Sequence, residues 1–288
     1  MPNLAVESLS LSHFRSHHLV QINCDPRPVA IYGANGAGKT NILEAVSLLS
    51  PGRGVRRSSA EEMTRRPEAL GWKISAVLRK QDRLHEIDTW SQNGAARQLR
   101  IDGKTATQVM LGRVARVLWL IPAMDRIWIE GAEGRRRFLD RMTLSFDPNH
   151  GEQVLLYEKA MRERNRLLKE RVADAHWYRA IEGQMASTGV KIRTARKEAL
   201  AYIHAAQDQA ETAFPTAQLT LTNSENIDFS DNSDDLAQLL ADYRSRDLAA
   251  GRSLAGPHRD DLFGVFAAKD VPAKDSSTGE QKIGRASC

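Results

Sequence analysis

The most informative motif of this sequence is the octapeptide at residues 33–40. It reads Gly33-Ala34-Asn35-Gly36-Ala37-Gly38-Lys39-Thr40, which fits the pattern G-x-x-x-x-G-K-[ST]. An apolar run at residues 28–32 precedes this stretch, and apolar residues at helical spacing follow it over residues 39–49. The pattern therefore predicts a strand, a tight glycine-rich loop and a helix, in that order.

A loop of this kind binds phosphate. Its backbone N–H groups surround the phosphate oxygens, and the helix N-terminus adds the positive end of its dipole. Lys39 is expected to bind the outer phosphates, and the hydroxyl of Thr40 is expected to ligate Mg²⁺. The alternative is a glycine turn that only caps a helix, with Lys39 in solvent. The strand–loop–helix context argues against that alternative.

The composition is that of a soluble globular protein with a mild basic excess. The chain has 288 residues, of which 41% are apolar and 27% charged, and its net charge is +5; these values exclude a disordered, collagen-like or disulfide-scaffold protein. Cys24 and Cys288 are too far apart in sequence to suggest a metal site or a disulfide framework. No apolar stretch approaches the roughly 20 residues of a membrane-spanning helix. We therefore expect a cytoplasmic protein with no membrane partner.

The charge is unevenly distributed along the chain. Residues 219–243 contain six acidic residues and no Lys or Arg, so the net charge divides into −6 there and +11 elsewhere. Basic clusters lie at residues 53–66, 113–141 and 162–171. These clusters are where we expect a polyanion such as DNA to bind.

The order of predicted elements indicates an α/β protein with a helical insertion. Short apolar runs predict strands at residues 4–11, 19–22, 28–32, 72–78, 84–90, 99–102 and 117–121, and again at 219–221 and 262–268. Long helices are predicted from about residue 135 to Pro215. We therefore expect three parts, an N-terminal lobe at residues 1–134, a helical lobe at 135–217, and a return to the first lobe at 218–288.

Two helices of the middle part each show one apolar face. The first carries Val154, Tyr157, Met161, Leu168 and Val172, and the second carries Ile181, Met185, Thr188, Ile192, Ala195, Ala199 and Tyr202. The second face resembles a heptad pattern but lasts only about three heptads. Two packed helices are therefore a better interpretation than an extended coiled coil.

Four further motifs carry functional information. They are His13-Phe14-Arg15-Ser16-His17, Gly134-Arg135-Arg136-Arg137-Phe138-Leu139-Asp140, Gly256-Pro257-His258-Arg259-Asp260-Asp261 and Ser277-Thr278-Gly279-Glu280-Gln281. Each also has a simpler interpretation: a polar hairpin loop, a solvated basic helix start, a tight turn with a local ion pair, and a helix cap, respectively.

Together the motifs resemble one family. Residues 33–45 resemble the G-x-N-G-x-G-K-T-N-[IL]-L-E-A stretch of chromosome-maintenance ATPases of the SMC and RecF type, and residues 277–281 look like the S-x-G-[EQ]-Q signature of ABC-type heads. The hexapeptide at residues 256–261 is similar to one found in RecF proteins, which also share an R-R-x-F-L-D segment. The chain thus resembles the RecF family of DNA replication and repair proteins from about residue 4 to residue 282.

The resemblance implies a fold and a nucleotide site. The implied fold is α/β, an ABC-type P-loop ATPase lobe with a mixed sheet and an inserted all-helical lobe. The implied cofactors are ATP and Mg²⁺. The implied nucleotide contacts are Gly33, Ala34, Asn35, Gly36, Ala37, Gly38, Lys39, Thr40, Asn41 and Arg15, with Ser277, Gly279 and Glu280 closing over the nucleotide of a second subunit.

The resemblance also implies partners. Proteins of this family form an ATP-dependent homodimer, bind DNA at single-strand/double-strand junctions, and assist the RecO and RecR proteins in loading RecA at gaps, with a role in the SOS response. As candidates for DNA phosphate contacts in this chain we name Arg56, Arg57, Arg135, Arg136 and Arg137.

One expected motif is not found in the sequence. After the signature, an ABC-type head continues to an apolar strand that ends in two carboxylates, which hold Mg²⁺ and position water; only seven residues follow Gln281 here. We therefore expect a C-terminally truncated chain with ATP hydrolysis near background. A non-hydrolysing nucleotide- and DNA-binding module, an SMC-like structural head and a small-molecule P-loop kinase are the alternatives.

Overall fold

A computed structural model describes residues 4–210, 216–223 and 231–276. The signature motif at residues 277–281, including Ser277, Gly279 and Glu280, lies outside the described residues. The chain divides into two compact units, Met1–Trp119 and Leu120–Cys288. The three-part division expected from the sequence stays a prediction.

The first unit is built on a six-stranded antiparallel sheet. Its strands are β1 (Leu4–Phe14), β2 (His17–Asn23), β3 (Trp72–Lys80), β4 (Arg83–Ser91), β5 (Gln98–Ile101) and β6 (Lys104–Thr105), in the spatial order β2-β1-β3-β4-β5-β6. Every ladder between them is antiparallel. Five strands that the sequence predicted in this unit are thereby confirmed.

The core of the first unit lies between this sheet and two helices, α1 (Lys39–Ser47) and α2 (Gln108–Val114). Because side chains alternate across a strand, β3 buries every second residue from Trp72 to Leu78. The same core contains Leu11 and Phe14 of β1, Ala45 of α1, and Leu48 and Leu49 directly after α1. The helix predicted over residues 39–49 is confirmed as α1, which ends at Ser47. Its Ala45 packs with side chains of the sheet in this core.

Two predicted strands are not formed. Residues 28–32 and 117–121 have no strand assignment, and apolar side chains in them are exposed, 59% for Val29 and 58% for Leu120. A strand needs a neighbour to take up its backbone hydrogen bonds. Neither segment belongs to a strand ladder among the described residues, so apolar composition alone did not suffice.

The second unit combines helices with a small sheet. Its helices are α3 (Ala132–Phe146), α4 (His150–Lys169), α5 (Ala175–Gln209), α6 (Ser233–Asp242) and α7 (Arg244–Ala250). Its strands are β7 (Ala217–Asn223), β8 (Asp260–Phe266) and β9 (Val271–Pro272), which form an antiparallel sheet in that order. The strands predicted at residues 219–221 and 262–268 correspond to β7 and β8.

Two of the apolar clusters in the second unit join several of its elements. Tyr157 and Ala160 of α4 pack with Met185 of α5 and with Leu236 and Leu240 of α6. A separate cluster joins Leu139 and Met142 of α3 to Leu200, Leu219 and Leu262. The prediction of two packed helices is confirmed, since α4 and α5 share a buried face.

A buried ion network also crosses the helical part. Arg164 of α4 is fully buried, and its guanidinium donates to Glu182 Oε1 at 3.0 Å and to Asp247 Oδ2 at 2.6 Å. It also donates to the Ser253 hydroxyl and to the Leu240 carbonyl, both at 2.8 Å. Buried charges are tolerated only when they are paired and hydrogen-bonded in this way.

Replacing Arg164 by methionine should destabilise the fold strongly. The change leaves the Glu182 and Asp247 carboxylates buried without their shared cation, which costs about 3–5 kcal/mol in the free energy of unfolding. Arg166→Met is the matched control on the same helix. Within the described part of the chain the Arg166 side chain forms an exposed pair with Glu163, so this change should alter stability by about 0.5 kcal/mol or less. Urea denaturation followed by circular dichroism measures both; equal midpoints would contradict the prediction.

Candidate functional site

The glycine-rich loop bends sharply just before α1. Gly36 and Gly38 have φ values of 83° and 88°, in the left-handed region that favours glycine. Gly38 is the N-cap of α1, so the first helical N–H groups follow directly from the turn. The loop residues 33–37 are exposed. This backbone therefore presents polar groups and a helix N-terminus to solvent, which suits an anion.

Lys39 brings a cation to the same loop. Its ammonium group donates to the carbonyl oxygens of Gly33 and Ala34, both at 2.8 Å. Thr40 is exposed at the next position. The loop and the ammonium group of Lys39 together thus suit an anion such as a phosphate. No group of three or more His, Cys, Asp or Glu side chains suited to a metal occurs among the described residues.

Polar side chains connect the loop to its neighbours. The Asn41 amide donates to the Ser16 hydroxyl at 2.8 Å, and Arg56 donates to Asn41 Oδ1 at 2.9 Å. The His17 ring lies 3.2 Å from the Gly38 carbonyl oxygen through Nε2. The first turn of α1 is therefore tied to the β1–β2 turn and to the segment after α1.

Arg15, which the sequence placed at the nucleotide, lies in the β1–β2 turn. Its guanidinium donates to both carboxylate oxygens of Glu44, at 2.7 and 2.9 Å, and to the Glu62 carbonyl at 2.7 Å. Arg56 donates to Glu44 Oε2 at 3.0 Å. The structure thus brings Arg15 and Arg56 together on one buried carboxylate. Arg57 is exposed and has no described side-chain partner.

Sequence reasoning did not single out Glu44 or Arg97. Arg97 donates to the carbonyl oxygens of Leu48 and Gly52, at 2.5 and 2.8 Å, and so caps the C-terminal end of α1. Burial lowers the pKa of Arg97 to about 10. The only sequence signal for Glu44 was its place in the segment Asn41-Ile42-Leu43-Glu44-Ala45. For Arg97 there was none, because its partners come from distant segments.

The two loop glycines should differ in their tolerance of alanine. A Cβ on Gly38 would lie 2.5 Å from the His17 ring, whereas a Cβ on Gly36 would meet nothing within 4 Å. Both changes strain a left-handed backbone by about 1–2 kcal/mol. Gly38→Ala also displaces His17, so its melting temperature should fall further than that of Gly36→Ala. Calorimetry on the two variants checks this order; equal temperatures would show that His17 does not support the loop.

In the second unit, the three adjacent arginines at the start of α3 have different surroundings. Arg135 forms a bidentate pair with Asp261, with N–O distances of 2.7 and 2.8 Å, and Arg136 donates to the Asp260 carbonyl at 2.8 Å. Burial lowers the pKa of Arg136. Arg137 is exposed and pairs with Glu133 at 3.0 Å. Of the three, Arg137 is therefore the most accessible to a phosphate.

The hexapeptide at residues 256–261 forms a 3₁₀ turn followed by the start of β8. Its acidic residues pair over long distances in sequence, Asp261 with Arg135 and Asp260 with Arg196, the latter at 3.1 Å. Both carboxylates of the hexapeptide therefore form ion pairs with arginines that lie outside it. Arg196 of α5 also holds Asp140 of α3 at 2.8 and 3.0 Å, so the hexapeptide joins three elements.

Burial and pairing act in opposite directions on these carboxyl groups. Burial alone would raise the pKa of Asp140, but Arg196 and His150 outweigh it and lower that pKa well below its usual range. For Asp260, burial prevails over Arg196 and raises the pKa. His258 is held between the Tyr157 hydroxyl at 2.8 Å and the Ser253 carbonyl at 3.0 Å.

His258 should make the fold sensitive to mild acid. Burial lowers its pKa from 6.5 to about 4, so between these values the unfolded chain binds a proton that the folded chain does not. Its contribution to stability is therefore lost as the pH falls through this window, by about 2 kcal/mol from pH about 7.5 to about 5. Urea titrations at both pH values should show a smaller acid loss for His258→Gln. The exposed His176→Gln should behave as wild type, and an equal loss in all three chains would contradict the prediction.

Known proteins match this chain over residues that belong to both units. A family profile described as an AAA domain matches residues 8–243. The chain is 44% identical over 287 residues to the DNA replication and repair protein RecF of Rhizobium rhizogenes strain K84, covering 96% of this chain and 76% of that protein. The chain belongs to the RecF family. RecF of Caulobacter vibrioides is 42% identical over 301 residues, covering 98% and 78%.

Solved structures of RecF-family and related proteins show the same fold. A structure of the recombination mediator protein RecF with ATP, from the RecFOR pathway, has a TM-score of 0.85 at 20% identity and covers 99% of this chain and 79% of that one. An Smc head domain from Pyrococcus furiosus reaches a TM-score of 0.50 at 17% identity. The α/β, ABC-type ATPase fold expected for a RecF-family chain is thereby confirmed. The mixed sheet expected in it is not found among the described residues, where every strand ladder is antiparallel. No described helix is both long and apolar enough to span a membrane.

Proposed function

We propose that this chain is an ATP- and DNA-binding protein of recombinational repair and replication restart. The observation that carries the proposal is the loop at residues 33–40, where Lys39 and the N-terminus of α1 form an anion site in a member of the RecF family. We place the protein in the cytoplasm, where bacterial DNA lies. The P-loop kinase alternative has no support from these relatives.

The proposed nucleotide site assigns a role to each residue. Residues 33–38 surround the phosphates of ATP, Lys39 neutralises the outer phosphates, and Thr40 ligates Mg²⁺. Asn41 supports the first turn of α1. Arg15 adds a second cation from the β1–β2 turn. The Ser277 hydroxyl and the Gly279 backbone N–H of a second copy, in the signature that also contains Glu280, would bind the γ-phosphate of the ATP held by the first copy. This would make dimerisation depend on the nucleotide.

The DNA contacts are proposed on the basic surface of each unit. Among the candidates, Arg56, Arg57 and Arg137 are exposed, which supports them as phosphate contacts. Arg135 and Arg136 are less exposed and are engaged by the Asp261 carboxylate and the Asp260 carbonyl, so they are weaker candidates. Single-stranded and gapped DNA are the proposed substrates. RecO and RecR as partners, assistance to RecA loading and a role in the SOS response follow from the resemblance alone.

Mg²⁺-ATP should convert the monomer into a dimer. Light scattering should report a doubled mass with wild type, and Lys39→Ala should abolish the change because it removes the cation at the loop. Lys104→Ala, an exposed lysine on β6, is the control and should dimerise normally. If the mass of the wild-type protein is the same with and without Mg²⁺-ATP, and the protein does not bind gapped DNA, the result would contradict the proposal.

Steady-state ATP hydrolysis separates two forms of the proposed function. Background turnover together with ATP-dependent dimerisation would support a non-hydrolysing nucleotide- and DNA-binding module. Robust turnover that Lys39→Ala removes would support a complete ATPase. Dimerisation without any DNA affinity would favour an SMC-like structural head.

A further inference from the structure

Glu44 is a buried carboxylate in the middle of α1. Its exposure is 1%, and it lies five residues after Lys39 on the same short helix. Burying a carboxylate is costly unless cations compensate it. Two guanidiniums do so: Arg15 Nη2 lies 2.7 Å from Oε1, while Arg15 Nε and Arg56 Nη1 lie 2.9 and 3.0 Å from Oε2. One carboxylate thus orients two arginines from different segments.

The cluster has more positive than negative charge. Glu44 supplies one negative charge to two guanidiniums, and the other acidic side chain influenced by Arg15 is the exposed Glu62, whose carboxylate accepts from the Ser59 backbone N–H. Lys39 adds a further positive charge on the same helix. At physiological salt, charges act over about 8 Å. An excess of cations held near a phosphate loop favours a highly charged anion.

A second contact fixes the cluster to the loop. Arg56 Nη1 also lies 2.9 Å from Asn41 Oδ1, and Asn41 directly follows Thr40. Within the described part of the chain, the contacts of Arg56 use Nη1 alone, so Nε and Nη2 keep donors for another acceptor. The guanidinium is therefore both held in place and able to bind.

We propose that Glu44 is a positioning residue for nucleotide binding, which holds Arg15 and Arg56 so that their combined charge favours a nucleoside triphosphate over a diphosphate. The inference rests on the proposed function, because it requires a nucleotide at residues 33–40. Glu44 itself does not touch the nucleotide. It acts through the two arginines, whose alignment depends on its paired oxygens.

Glu44→Gln separates positioning from simple charge. If Glu44 acted only through its charge, removing it would raise the local positive potential and tighten ATP binding, most strongly at low salt. If it positions the arginines, ATP binding weakens in spite of the added positive charge. We expect about a tenfold loss of ATP affinity, the scale of one charge-assisted hydrogen bond, and a smaller loss for ADP. Calorimetric titration of Mg²⁺-ATP and Mg²⁺-ADP at two salt concentrations measures this.

Two further variants make the result specific. Glu7→Gln removes a carboxylate that pairs with Arg79 in the same unit, and it should leave the ATP and ADP affinities unchanged. Glu44→Asp keeps the charge with a shorter reach and should recover part of the ATP preference. If circular dichroism shows that Glu44→Gln does not fold, Glu44→Asp is measured in its place. Glu44→Asp should then bind ATP more weakly than Glu7→Gln does.

A double-mutant cycle tests whether Glu44 acts through Arg15. Glu44→Gln, or Glu44→Asp, should cost less ATP affinity when added to Arg15→Ala than when made in the wild type, because only Arg56 is then left for Glu44 to position. Additive losses would overturn the inference, and so would unchanged or tighter ATP binding by either Glu44 variant. A wild-type chain that binds no nucleotide would instead refute the proposed function. The two failures are thus distinguishable.

Discussion

The requirement that a buried charge be paired organises the first unit around Glu44. Its carboxylate is removed from water by the packing of α1 against the sheet. It is stable there only because Arg15 arrives from the β1–β2 turn and Arg56 from the segment after α1. Apolar packing alone would not specify where that turn and that segment lie. The geometry around the phosphate loop therefore depends on this electrostatic constraint.

The same constraint operates in the second unit. Arg164 joins α4 to Glu182 of α5 and Asp247 of α7, and Arg196 joins α5 to Asp140 of α3 and Asp260 of β8. These pairs are directional, whereas the Leu, Met and Ala side chains beside them are not. The ion pairs therefore contribute specificity to an interface whose driving force is apolar burial. Such ion pairs also engage both carboxylates of the hexapeptide at residues 256–261.

Local patterns in the sequence predicted most of the elements, because alternation and helical spacing report which face of an element is buried. They failed at residues 28–32 and 117–121. There the apolar composition suited a strand, but strand formation depends on a hydrogen-bonding neighbour that no local pattern can reveal. The same limit applied to the arginines. Three arginines that are adjacent in sequence have different surroundings. Arg135 pairs with the Asp261 carboxylate, Arg136 donates to the Asp260 carbonyl, and Arg137 is exposed beside Glu133.

Contiguous residues were sufficient to predict the α/β class, the phosphate loop with Lys39 at its end, and the resemblance to one family. The loop's conformation depends on its own glycines and on the helix that begins there, so a local motif reveals it. The pairing of Glu44 with Arg15 and Arg56, and of Asp260 and Asp261 with Arg196 and Arg135, became evident only from the folded chain. Partners far apart in the chain meet only after the core has packed, and their pairing then follows from the cost of leaving a buried charge alone.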